Sequence, residues 1–161
     1  MNDKQFQIRA NGDREIVMTR GFDAPKQLVW DAYTKPELLK RWLGVFGGWE
    51  LAVCEIDLRV GGAYRWEWKN STCDQSMAVG GVYKELNAPD RLVCTELFDQ
   101  PWYEGGSLNT VTFVETAGRT TMTTTMRYTS TETRDGVLKS PMEGGVTKSY
   151  DALEALLAAQ R

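Results

Sequence analysis

At 161 residues, with 42% hydrophobic and 25% charged side chains, the chain has ordinary globular composition and can bury roughly 70% of its unfolded surface. A net charge of −3 with scattered Lys and Arg leaves no basic stripe for a phosphate backbone, so nucleic acid is not an expected partner. Histidine is absent, which excludes His-based triads, His-ligated zinc and the usual neutral-pH proton shuttle.

The opening stretch MNDKQFQIRANGDREIVMTRGF is polar and charge-mixed, without the apolar region of a secretory signal. No apolar run approaches the roughly 20 residues that cross a bilayer, so a cytoplasmic protein without a membrane span is expected. Within residues 4–20, Phe6, Ile8, Ile16 and Met18 flank an Asn11-Gly12 turn signal and read as strand bent or paired at that turn. In FDAPKQLVWDAYTKPELLKRWLG the period changes: Pro25 suits a first helical turn, and Val29, Ala32 and Tyr33 recur at helical spacing. Thr34-Lys35-Pro36-Glu37 fits a capping box for a second helix carrying Leu38, Leu39, Trp42 and Leu43, ended by Gly44.

From Trp49 to Tyr128 two-residue alternation dominates, punctuated by turn signals at Gly61-Gly62, Asn70 to Asp74, Asn87 to Asp90, Gly105-Gly106 and Ala117-Gly118. That predicts a meander of about six antiparallel strands. In TTMTTTMRYT, Met122, Thr124, Met126 and Tyr128 share one face. STETRDGVLK reads as a separate turn or two. Ser140-Pro141-Met142-Glu143 reads as a second capping box, opening a long helix with the stripe Met142, Val146, Ser149 or Tyr150, Leu153, Leu156 and Leu157. This helix is the expected second layer on the sheet. The whole, residues 1–161, reads as one domain.

No phosphate loop or nucleophile elbow is present. Cys54, Cys73 and Cys94 lack metal or redox spacing and read as free thiols, so no cofactor or metal is expected. Asp57 and Arg59, before Gly61-Gly62, suggest a turn and a bulge that re-aims the next strand. Glu67, Glu85 and Glu96 are read as solvated or paired strand carboxylates rather than catalysts. Tyr64, Trp66 and Trp68 alternate with Arg65, Glu67 and Lys69, so the rings share the dry face. Periodicity alone makes them core. With six Trp, six Tyr, five Phe and six Met in the chain, however, the rings exceed what one modest core needs, which leaves room for a pocket.

The runs RGFDAPKQLVWDAYTKPELLKRWLG, EIDLRVGGAYRWEW, GGVYKELNAPDRLVCTELF, TVTFVE, TTMTTTMRYTSTETRD and PMEGGVTKSYDALEALL resemble the family related to the activator of heat-shock protein 90 ATPase. That family lies within the START-like, birch-pollen-allergen-like (SRPBCC) superfamily, and the resemblance covers residues 15 to 158. It implies an α+β helix-grip: a curved antiparallel sheet around a long C-terminal helix, two short helices closing one end, and a cavity between sheet and helix. Two departures stand out. Trp42-Leu43-Gly44-Val45 replaces the family's Trp-Trp-Gly-Pro, so the lid region is expected to differ. Pro141-Met142-Glu143-Gly144-Gly145-Val146 replaces Gly-Met-x-x-Gly-Trp, so Val146 is expected to enlarge the cavity, with Tyr150 partly refilling it.

The resemblance implies a carrier or sensor of a hydrophobic lipid, polyketide or aromatic molecule. Its expected ligand-binding residues are Trp42, Tyr64, Trp66, Trp68, Phe113, Met126, Met142, Val146 and Tyr150. A co-chaperone-like domain contacting a chaperone or client protein through its surface is the alternative. A cyclase or hydrolase is a third reading, disfavoured by the missing histidine and revived only by a buried carboxylate facing the cavity.

Overall fold

The computed structural model describes residues 5–101 and 103–160. Strands β1 (Gln7–Asn11) and β2 (Glu15–Phe22) form an antiparallel hairpin in register from Gln7 opposite Thr19 to Asn11 opposite Glu15. The turn residue Gly12 has a φ of +58°, a left-handed conformation that glycine adopts without steric cost. Helix α1 (Lys26–Thr34) follows Pro25 and buries Val29, Trp30 and Ala32. Helix α2 (Pro36–Leu39) is a single turn, shorter than the spacing predicts. The expected Thr34 capping box does not form. Thr34 sits in the last turn of α1 and its hydroxyl donates to the Trp30 carbonyl four residues back (2.8 Å), leaving Lys35 as the N-cap. Trp42 and Leu43 therefore lie on the non-helical turns that end at Gly44.

Six strands then run up and down: β3 (Trp49–Ile56), β4 (Ala63–Asn70), β5 (Ser76–Asn87), β6 (Arg91–Phe98), β7 (Ser107–Thr116) and β8 (Arg119–Arg127). The sheet has eight strands in the order β1-β2-β8-β7-β6-β5-β4-β3, all neighbours antiparallel. It is curved and does not close. Register shifts between Leu51 and Val53 in β3, and between Tyr83 and Glu85 in β5, insert the extra residues that bend such a sheet. The expected turn before β4 is present, but the Asp57 carboxylate accepts from the Arg59 guanidinium (2.8 Å).

Helix α3 (Thr131–Lys139) is capped by Ser130, whose hydroxyl accepts from the Thr133 amide (3.1 Å). Arg134 of α3 is buried and donates to the carbonyls of Gly12 and Glu15 (3.0 and 2.9 Å), tying α3 to the first hairpin. The second expected capping box is also replaced. Ser140 donates its hydroxyl to the Val137 carbonyl (2.6 Å) and so closes α3, and the long helix α4 runs from Met142 to Gln160. It buries Ser149, Tyr150, Leu153, Leu156 and Leu157, and Asp151 receives a hydrogen bond from buried Arg20 of β2 (3.0 Å).

Apolar burial divides into two clusters. The larger centres on Phe22, Val29, Trp42, Val111, Leu153 and Leu157. The smaller holds Ile16, Met18, Met126, Tyr128 and Val137. Val146 of α4 packs against both.

Candidate functional site

Where the two clusters face each other beneath α4, packing is incomplete, leaving a cavity of about 470 Å³. Its lining mixes the two: Trp66, Trp68 and Val79 from the larger, Met18, Met126 and Val137 from the smaller. Met77, 44% exposed, lines the cavity and stands at its mouth. A broader depression of about 720 Å³ lies over Arg65, Glu67, Lys69 and Asp99. There Arg65 already bonds Glu67 (2.7 Å) and Asp99 (2.6 Å), so its polar lining is partly satisfied, whereas the smaller cavity lies between layers and is mainly apolar.

Trp66, Trp68, Met126, Met142, Val146 and Tyr150 all line the smaller cavity. Trp42 lines it too, almost wholly buried, with its indole N–H donating to the Ala32 carbonyl (2.9 Å). Trp68 donates to the Leu43 carbonyl (2.9 Å), which pins the Trp42 to Gly44 turn against β4. Gly44 completes that join by donating its amide to the Ser149 hydroxyl of α4 (3.0 Å). Tyr150 packs edge-on against Phe6 and Phe22, with centroids 5.7 and 6.0 Å away.

Two residues expected at the site lie elsewhere. Tyr64 shares the inner face with Trp66 and lies tilted against it, with centroids 4.8 Å apart, but it is not among the cavity's lining residues and its hydroxyl donates to the Thr95 carbonyl (2.6 Å). Phe113 is buried against Trp30 and Tyr33 of α1, with centroids 5.5 and 6.1 Å away, and serves to seat that helix. Parity gives the face of a strand but not the position along it where packing stops.

The cavity has polar groups that periodicity had not assigned to a site. Glu96 of β6 and Asn109 of β7 line it, on the inner parity of Leu92 and Cys94 and of Val111 and Phe113. Desolvation raises the Glu96 carboxyl from 4.5 to about 7, opposed by its hydrogen-bonding neighbour Asn109. Glu96 is half-buried. Desolvation also pushes Tyr103 and Tyr150 up to about 12, so these phenols are neutral donors at pH 7. One buried polar atom on the lining, Trp66 Nε1, has no hydrogen-bond partner among the described residues. Such atoms are costly to bury unmatched. The signal for Glu96 was present in RLVCTELF, where its parity is that of Leu92, Cys94 and Phe98.

A curved antiparallel sheet gripping a long C-terminal helix, with a cavity between them, defines a START-like helix-grip domain, a fold that supports ligand binding or a co-chaperone-like role. The family described as Activator of Hsp90 ATPase homolog 1-like protein matches residues 23–158, and the chain belongs to it. Among solved structures, a protein from Rhodobacter sphaeroides is 28% identical, with 96% of this chain and 98% of that one covered and a TM-score of 0.89. Protein Ms6760 from Mycobacterium smegmatis shares the fold at 23% identity, 94% and 95% coverage and a TM-score of 0.82. So does an AHSA1-like protein from Aeromonas hydrophila, at 20% identity, 88% and 93% coverage and a TM-score of 0.71. A search of curated proteins gives no match. Among the described residues no helix is long and apolar enough to cross a membrane, and no group of three or more His, Cys, Asp or Glu is placed to hold a metal.

Proposed function

We propose that the chain, as one START-like domain over residues 1–161, binds a hydrophobic small molecule between sheet and α4, acting as carrier or sensor. The observation that carries this reading is the cavity of about 470 Å³ left between two otherwise well-packed clusters. An aromatic-walled void of that size loses contacts that a ligand restores. Each 100 Å² of apolar ligand surface buried there contributes about 2.5 kcal/mol before the cost of association. Trp66, Trp68, Met126, Met142 and Val146 form the contact wall, with Trp42 and Tyr150 holding it in shape. Val146, where the family carries tryptophan, is the substitution that keeps the space open.

Native mass spectrometry of the purified protein, followed by denaturing extraction, tests this directly. A co-purifying apolar molecule that is lost from Val146→Trp supports the reading. An empty protein that also binds no lipid or aromatic probe overturns it and moves attention to surface contacts, where Leu97 and Leu108 on adjacent strands β6 and β7 are exposed. Glu96 supports a second reading, acid–base catalysis, because a carboxyl near pH 7 inside a cavity is suited to proton transfer. Under that reading the extracted molecule differs chemically between the native protein and Glu96→Gln.

A further inference from the structure

The cavity's charge composition limits what can occupy it. Glu96 is the only Asp, Glu, Lys or Arg among the described lining residues. Two cations come near the wall without entering it: Arg20 is bonded to Asp151 (3.0 Å), and the Lys148 ammonium lies over the Phe46 ring at 5.4 Å. The groups whose titration Glu96 influences are Tyr33 from α1, Tyr64 from β4, Cys94 on β6, Tyr103 from the β6–β7 connection and Tyr128 after β8. None of them is cationic. The carboxyl thus has a neutral amide neighbour, Asn109, and a surround of aromatic rings whose faces favour positive charge. An anionic ligand such as a fatty acid would meet this carboxylate with no lining cation to balance it. A cation would find its counter-ion and its cage together. Trp66 adds an unpartnered N–H, 92% of the residue's surface being buried, which an ether or hydroxyl oxygen on the ligand would satisfy.

We propose that the ligand is an apolar, ring-bearing amine whose ammonium group pairs with Glu96 inside the aromatic cavity. This rests on the small-molecule reading above and names its ligand class.

Three probes with one ring system test it: 2-(6-methoxynaphthalen-2-yl)ethylamine, the corresponding ethanol, and 6-methoxynaphthalene-2-acetic acid, titrated calorimetrically into the whole protein. The amine is expected to bind about tenfold or more tighter than the alcohol, with the acid weakest. Glu96→Gln removes the amine's advantage over the alcohol, since the substitution preserves shape and deletes the charge. In the native protein, amine affinity rises about tenfold per pH unit below about 7, where Glu96 is half ionised, and levels off about one unit above it. Alcohol binding without an amine preference, or a preference that survives Glu96→Gln, overturns this proposal and leaves small-molecule binding standing. Failure of all three probes in a protein that also purifies empty overturns both.

Discussion

Glu96 illustrates how one side chain links packing to pH. Its folded-state pKa of about 7 lies above its ordinary 4.5, so between those values the folded protein binds more protons than the unfolded chain. Stability therefore falls as pH rises through that window, by up to about 3 kcal/mol, and is regained on acidification toward 4.5. Glu96→Gln should melt higher than the native protein at pH 8 and lose most of the difference at pH 5, as thermal denaturation at both values will show. Gly44 is a second residue whose role is local. Its φ is +69°, and an added Cβ would sit 2.5 Å from Trp68 Nε1, against the indole that donates to Leu43. Gly44→Ala should cost about 2 kcal/mol in denaturant unfolding through backbone strain and the disturbed indole hydrogen bond. Sequence identified Gly44 as a helix terminator, but not that its missing side chain makes room for a ring.

The elements differ in what they contribute to the cavity. Strand β7 anchors α1 through Phe113, which touches Trp30 and Tyr33 and does not line the cavity. Phe113→Ala should therefore destabilise by about 3–5 kcal/mol in chemical denaturation, the cost of an emptied aromatic site. Helix α4 supplies the opposite case. Val146 is half-buried over the void, so Val146→Trp should fill it, with the melting temperature held or raised and apolar probe binding lost. Both capping boxes failed to form because a hydroxyl bonds to the partner nearest in three dimensions. Thr34 was still inside α1, and Ser140 closed α3 before α4 began. The alternation of β4 and β8, by contrast, survives in burial, with the inner-face residues buried and the outer-face residues exposed or half-buried.

At the scale of the whole molecule the three thiols report on cooperative opening. Cys54 and Cys94 are buried, and desolvation raises them to about 11 and about 12, while Cys73 is exposed. A thiol reagent at neutral pH should titrate one cysteine in the native state and the other two only upon unfolding, at rates that follow global stability. Rapid modification of all three in native buffer would mean that the sheet opens locally near β3 and β6.

The sequence by itself determined the six-strand meander, the helical regions before and after it, and the faces that β4 and β8 bury. These follow from periodicity and turn chemistry, which act over a few residues. Only the tertiary structure decided that Trp66 and Trp68 wall a void while Tyr64, on the same face, is packed and bonded to Thr95. The curvature of the sheet and the seating of α4 set how far apart two apolar clusters stand. That distance decides whether an inward carboxylate such as Glu96 meets a partner or an open cavity.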